Sequence, residues 1–427
     1  MKLLMKVVAL AVCLPVSAAP LAIRAARVFD GTAMHRDMTV TVDGGVIVSI
    51  ERSGSGSAAI TLGNDVTLMP GLIDAHTHLA LHAGNYDDQI LRETPEMRTI
   101  HATISARKTL EAGITTVRDL GNEGAGFADL AIRDGVAQGL IAGPRVIAAI
   151  RPVTSTGSYR LTGFSPYVTT PEISSAADGV AEVRREVRKL IEQGADVIKM
   201  YLESYEKKQL RTDMLTGALN YSQEELDALV QEAHRGGARV AAHTYSDAAA
   251  RMAIAAGADS IEHGLYLSEE TFRLMAQKGI YYVPTLLVYE LWRDGKLFGG
   301  VSPAMKTRLI KTVEEHTATF RRALATPVRI VFGSDTFELP GTNAQEIVAM
   351  VRDGMRPIDA LRAATSSAAA LLGVENVTGS IRTGLAADLI VVQGDPTADI
   401  RAVERVLMVM REGEVVVDRR NGAQRVP

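Results

Sequence analysis

An α/β chain built around a TIM-like (β/α)8 barrel, with a small β-domain assembled from both chain ends, is the fold this 427-residue sequence predicts. Three observations carry that prediction. Between about residues 68 and 370, short β-branched runs alternate with helix-like stretches, eight times over, which is the rhythm of parallel βα units. Both ends of the chain are strand-rich instead. No Gly-x-Gly-x-x-Gly follows an early strand, which counts against the alternative, a doubly wound open sheet. No internal repeat or low-complexity segment stands out beyond the βα alternation.

The first residues, MKLLMKVVALAVCLPVSAAP, read as a secretory leader. Lys2 and Lys6 come first, then an apolar run from Val7 to Leu14, then small residues, with cleavage expected after Ala18 or Ala19. The run is too short to cross a bilayer, which takes about 20 residues. A lipoprotein signal at Cys13 is the rival, but the large Val12 stands where a small residue is wanted. Residues 1–18 are therefore expected to be removed and the protein to be secreted or periplasmic. Cys13 is the only cysteine, so the exported chain has no disulfide and relies on its core, for which 47% apolar composition suffices. The net charge of −4, made more negative by loss of the two leader lysines, and the absence of basic runs argue against nucleic acid as a partner. No later stretch is long and apolar enough for a membrane.

After the leader, LAIRAARVFD and MTVTVDGGVIVSI alternate as strands, with a hairpin turn at Asp43-Gly44-Gly45. LAADLIVVQGD (385–395) and VERVLMVMREGEVVVD (403–418), turning at Glu412-Gly413-Glu414, mirror them at the far end. The boundaries expected are 19–67 and 371–427 for the end domain and 68–370 for the barrel. The barrel strands are read in TLMPGLIDAHTH, ITTVRDLG, PRVIAAI, ADVIKMY, ARVAAHTY, DSIEHG, IYYVPTLLV and VRIVFGSD. Helices are read at 176–194 and 222–237, the latter opened by Ser222 and Glu225 in capping-box spacing.

In such a barrel the active site lies at the C-terminal ends of the strands. Strand one ends in His76-Thr77-His78, and residues i and i+2 of a strand face the same side. Strand four ends around Lys199, strand five at His243, strand six at His263 and strand eight at Asp335. Each residue alone has a plainer reading: a hydrogen-bonded structural histidine, a helix N-cap for Asp335, a solvated lysine. Together, five strands delivering imidazole, carboxylate and one lysine to one mouth make a metal site. His35, His82, His101, His234 and His316 are read as structural, His101 and His234 lying in helical stretches.

PGLIDAHTH, the lysine of VIKMY, AAHTY, SIEHG and FGSD resemble the motifs of the amidohydrolase superfamily, over essentially the whole chain after the leader. More narrowly, the chain resembles the prolidase-like, imidazolonepropionase-related branch, with its Xaa-Pro-type dipeptidases and ochratoxin-hydrolysing amidases. The resemblance implies that the end domain is a composite β-sandwich. It also implies that Lys199, which cannot ligate a cation while protonated, carries a CO2-derived carbamate bridging two divalent ions, zinc suiting these ligands. His76, His78 and Asp335 would hold one ion and His243 and His263 the other. Two close cations can hold a bridging hydroxide at neutral pH, with Asp335 accepting its proton and passing it to the departing amine.

Strand alternation turns Tyr201 the same way as Lys199, and Tyr245 the same way as His243. Both are candidates for the substrate pocket, as is Tyr205 in the loop beyond; packing of the upper barrel is the plainer reading. The long polar loop 151–168 follows strand three, where lids and specificity loops are common. In loop 202–222, Lys207, Lys208 or Arg211 is solvated or receives a substrate carboxylate. The function expected is a secreted dinuclear metal-dependent hydrolase of an amide bond in a dipeptide, N-acyl amino acid or amide-linked toxin such as ochratoxin. Ring opening of a cyclic amide and a non-catalytic barrel are the alternatives. A homo-oligomer is expected by resemblance.

Overall fold

The computed structural model describes residues 19–54, 58–165, 167–203, 215 and 217–420. Eight strands give the central part its order: β1 (Leu72–Thr77), β2 (Ile114–Asp119), β3 (Arg145–Ala148), β4 (Val197–Tyr201), β5 (Arg239–Ser246), β6 (Ser260–Tyr266), β7 (Tyr281–Val283) and β8 (Arg329–Ile330). β1, β2 and β3 form one parallel sheet. β4 to β8 run in sequence through a second, which begins with the short strands Ser175–Ala176 and Val153–Thr154. Backbone hydrogen bonds connect the two sheets at both margins. Asp196 N–H donates to Ala148 C=O at 2.8 Å, while Ala75 N–H to Phe332 C=O (3.0 Å) and Asp335 N–H to His76 C=O (2.8 Å) join β1 to the segment after β8.

Every residue of β1, β2 and β4 is buried, as parallel strands covered on both faces require. The covering helices show why. In Gly179–Glu192 the buried residues are Val183, Val187 and Leu190, a stripe at helical spacing. Gln223–Arg235 opens on the expected capping box, Ser222 and Glu225 each satisfying the other's backbone N–H. One reading needs correction. IYYVPTLLV is not one strand: β7 stops at Val283, Thr285 takes a left-handed φ of 49°, and Leu286–Arg293 is a helix. Pro284 cannot donate to a sheet ladder, so the strand ends there.

The remaining strands make an eight-stranded sheet from both chain ends. Its path runs Glu414–Asp418, Val406–Arg411, Leu389–Gln393, Val66–Pro70, Leu21–Phe29, Met34–Asp43, Val46–Arg52, with Ile60–Thr61 beside Leu21–Phe29. Both hairpin turns place two consecutive residues at positive φ, Gly44 and Gly45 at 54° and 84°, Glu412 and Gly413 at 49° and 82°, which matches the twist of the flanking strands. Ile47 N–H to Leu385 C=O and Ala387 N–H to Gly45 C=O, both 2.9 Å, curl the sheet onto itself. Ile23, Val40, Leu68, Leu389, Val391 and Met408 share the resulting core. Val66–Pro70 leads through Gly71 directly into β1, so this sheet sets the entry angle of the first site strand. Among the described residues no helix is long and apolar enough to cross a membrane.

Glu232 ties two outer helices together, accepting from Arg188 Nε at 2.8 Å and Arg184 Nη1 at 3.0 Å. The Arg188 contact leads in pulling its carboxyl from 4.5 to about 2. A folded-state value below the unfolded one means the contribution is present above about pH 4.5 and lost as pH falls toward 2. Glu232→Gln should cost up to about 1 kcal/mol at neutral pH, and chemical denaturation should show that difference fading over this acid range.

Candidate active site

The six residues read from the sequence converge. His76 is the penultimate residue of β1 with His78 just beyond the strand, Lys199 lies in β4, His243 in β5, His263 in β6, and Asp335 follows β8; all are buried. Donor atoms of His76, His78 and Asp335 lie within 4.8 Å of one another. The rings continue the set: His76 to His78 5.5 Å between centroids, His76 to His263 4.9 Å, His263 to His243 4.5 Å. They sit in a cavity of about 280 Å³, which Tyr201 and Tyr245 also line. Tyr201 stacks on His243 at 4.1 Å, and Lys199 Nζ lies 5.4 Å from the Tyr201 ring. Tyr205, Lys207, Lys208 and Arg211 lie outside the described residues, as does the leader.

Three imidazoles are held by one nitrogen each. His76 Nδ1 meets Glu262 Oε2 at 2.8 Å, His78 Nδ1 meets the Gly121 carbonyl at 2.8 Å, and His263 Nδ1 meets Thr285 Oγ1 at 2.7 Å. Such contacts fix ring orientation and leave Nε2 for a cation. Glu262 is itself held by Arg118 (2.8 Å) and Ser260 (2.5 Å). Burial drives the pKa of all four histidines down, His78 to about 4, and the charge of Lys199 adds to this at each of them. They are neutral at physiological pH, the form that binds metal.

Two buried atoms show what the site lacks within the protein. Asp335 Oδ1 lies 3.4 Å from His78 Nε2 and 3.8 Å from His76 Nε2, yet accepts no hydrogen bond among the described residues. Ligands at about 2.0–2.1 Å around a tetrahedral ion stand roughly 3.3 Å apart, so a cation fits that gap. Lys199 Nζ likewise has no hydrogen-bond partner among the described residues, and the simple hydrogen-bonded pair with Asp335 is not made. Burial lowers its pKa to about 8 against the opposing pull of Glu262 and Asp335.

Other cavity residues are not singled out by the sequence alone. Glu123 accepts from the hydroxyls of Tyr86 (2.5 Å) and Tyr159 (2.9 Å) and lies 3.8 Å from His78 Nδ1. Burial raises its pKa. Tyr159 and Arg160 bring loop 151–168 to the cavity, whose lining also includes Val288, Tyr289, Trp292, Phe298 and Phe337. The backbone N–H groups of Leu286 and Leu287, which open the helix carrying Tyr289 and Trp292, donate to the Glu346 carboxylate at 2.8 and 2.7 Å. Arg98, fully buried, donates to the carbonyls of Ala80, Asn122 and Glu123, fastening the loops after β1 and β2 together. Two signals were there to read: Glu262 is a carboxylate directly before His263 in a set of metal-type histidines, and Tyr159 and Arg160 lie in the long loop after strand three.

The amidohydrolase family model matches residues 67–416. The chain belongs to the amidohydrolase family. This amidohydrolase is 33% identical to ochratoxinase of Aspergillus niger over 359 residues, 79% of this chain and 72% of that protein. It is similar to a Xaa-Pro dipeptidase solved with methionine in its active site, at 32% identity and TM-score 0.83, covering 93% of this chain and 99% of the other. The A. niger ochratoxinase structure matches at 27% identity and TM-score 0.78, over 95% and 97% of the two chains. Family and relatives make this protein a hydrolase acting on amide bonds.

Two substitutions probe the site's supports. Glu262→Gln should weaken cation binding about 10–100-fold, read by metal titration. In Gly333→Ala the new Cβ would fall 2.5 Å from Val283 Cγ1 and 2.8 Å from His76 Cβ. That overpacking should destabilise the fold by about 1–3 kcal/mol in thermal unfolding.

Proposed function

We propose that this chain is a secreted, dinuclear metal-dependent amidohydrolase that cleaves an amide bond in a small molecule: a dipeptide, an N-acyl amino acid or an amide-linked toxin such as ochratoxin. The observation that carries it is Lys199, a buried amine set among four neutral imidazoles and Asp335 and without a hydrogen-bond partner among the described residues. Burial enlarges its neutral fraction, the form that reacts with CO2. A carbamate there would put anionic oxygens where the protein supplies none. On this reading His76, His78 and Asp335 would hold one divalent ion and His243 and His263 the second, with a carbamate on Lys199 available to both, zinc being the expected metal. When bound, such ions polarise the amide carbonyl and lower the pKa of water.

The chain's own residues do the rest. Asp335 takes the proton of the attacking water and delivers it to the amine as the C–N bond breaks. Tyr201 and Tyr245 present hydroxyls to the substrate. The wall of Val288, Trp292, Phe298 and Phe337 suits an apolar side chain, and Arg160 supplies positive charge at the same cavity for a substrate carboxylate. We take the two parallel sheets as arcs of one (β/α)8 barrel over 68–370, and the curled end sheet as a composite β-sandwich of 19–67 and 371–427. Secretion or periplasmic location rests on the leader 1–18. Self-assembly is supported by Met97, Ile100 and Ile104, exposed on one face of the helix Pro95–Glu111.

Elemental analysis of the purified protein should find about two divalent ions per chain. Lys199→Ala should lower that number and cut amidase activity by at least the roughly 100-fold that loss of one electrostatic contributor costs. A panel of dipeptides and N-acyl amino acids with defined side chains reads the preference. One ion per chain, with no effect of the substitution, means a mononuclear enzyme; no ion and no hydrolysis means a non-catalytic barrel.

A further inference from the structure

Three side chains outside the catalytic set meet beyond the first strand. His82 lies in the loop after β1, Glu93 caps the C-terminus of the helix Tyr86–Arg92, and His101 lies in the helix Pro95–Glu111. One donor atom from each falls within 4.8 Å of the other two, and all three residues are partly buried. The His82 and His101 rings stack with centroids 3.9 Å apart at 26°. Individually each histidine reads as structural. Only the fold places them beside one carboxylate.

The bonding around His82 makes the cluster more than a contact. Its Nδ1 lies 3.1 Å from the Ala83 carbonyl, which can only accept, so Nδ1 carries the hydrogen. In the neutral ring that leaves Nε2 with a lone pair, and Nε2 faces both Glu93 oxygens at 2.9 and 3.1 Å. A lone pair aimed at a carboxylate repels it unless a proton or a metal ion lies between them. A backbone carbonyl fixing Nδ1 is also the usual way a protein orients a metal-binding imidazole. The 2.9–3.1 Å separations lie within a few tenths of an ångström of the roughly 3.3 Å between neighbouring ligands of a tetrahedral zinc ion. His101 contributes a ring nitrogen within 4.8 Å of ligand atoms of both.

We infer that His82, Glu93 and His101 form a further cation site, distinct from the barrel set, that takes a zinc-type divalent ion with water in the fourth position. Two imidazoles and one carboxylate suit such an ion and are poor for calcium or magnesium, which prefer all-oxygen sets. The site's position gives it a consequence. The Gln89 side chain bonds both backbone groups of His82, donating at 2.7 Å and accepting at 3.0 Å. Tyr86 and Asp87, at the start of the same short helix, line the catalytic cavity. An ion on His82, Glu93 and His101 therefore pins the segment that forms one rim of the substrate cavity.

The test compares the full chain with His101→Ala and Glu93→Gln, each titrated with zinc and followed by elemental analysis and by competition with a chromophoric chelator. Wild type should hold one more zinc ion per chain than either variant, that ion's affinity falling at least about 100-fold in both. Zinc should also slow amide hydrogen exchange over 82–93 in wild type alone. The barrel residues are unchanged in all three proteins, so the difference in count does not depend on how many ions the barrel holds. Equal stoichiometry and affinity in all three would mean that a proton alone fills the gap, and would overturn the inference. Zinc-dependent protection of 82–93 persisting in the variants would do the same. Glu93→Gln is isosteric and near the surface, so it decides the matter should His101→Ala fold poorly.

Discussion

The geometry of the site depends on one buried carboxyl group, that of Asp74. Its Oδ1 accepts from the backbone N–H of His76 (3.1 Å) and of Ser334 (2.9 Å), and its Oδ2 from Ser334 Oγ (2.6 Å) and Asn343 Nδ2 (2.8 Å). Burial pushes its pKa up to about 6, against the pull of these donors. A carboxyl with no solvent contact is tolerated only because every lone pair finds a donor. What it achieves is a clasp between segments 260 positions apart in the chain. With the Asp335 N–H to His76 C=O bond, it fixes the spacing between two imidazoles and the aspartate that faces them. It adds side-chain bonds to the backbone bonds Ala75 N–H to Phe332 C=O and Ile73 N–H to Ala364 C=O, which also join β1 to the chain after β8.

Around that clasp, side chains are aimed by unusual backbone. Glu123, His263, Thr285 and Asp335 all take left-handed φ values, between 49° and 67°, although none is glycine. Such residues cost on the order of 1–3 kcal/mol each and persist where the surroundings over-determine them. Here those surroundings are visible: Arg98 grips the Glu123 carbonyl, the Glu346 carboxylate receives the helix that follows Thr285, and Asp335 N–H is bound to β1. Glu123, Thr285 and Asp335 lie in the segments after β2, β7 and β8, and His263 lies within β6. Four of the left-handed non-glycine residues thus gather around the site, while Asp37 and Glu412 take the same backbone in the end sheet.

How much of this a reader of the sequence could see follows from which contacts are local. His76 and His78 declare themselves through the two-residue period of a strand, and Lys199, His243, His263 and Asp335 through their places at the ends of successive apolar runs. The hairpins at Gly44-Gly45 and Glu412-Gly413 and the capping box at Ser222 are local too, and the structure has them. Glu123, Tyr86 and Arg98 act from a loop or a helix face that only tertiary packing brings near His78, and nothing in their own neighbourhoods announces it, whereas Tyr159 lies in loop 151–168, whose length and place after β3 mark the segment but not the residue. The run IYYVPTLLV misleads because its apolar content is uniform. A proline and one left-handed threonine, rather than hydrophobicity, decide where strand gives way to helix.

The pairing of Val66–Pro70 with Leu389–Gln393 has a temporal side. A ribosome emits the lead-in to the first histidine strand more than three hundred residues before it emits that lead-in's neighbour. Leu21–Phe29 can flank that lead-in from the start, but its other side stays open until Leu389–Gln393 is made. Long-range closure of this kind is slow. The end sheet is therefore completed on that side only when the tail of the polypeptide returns to the place where β1 begins.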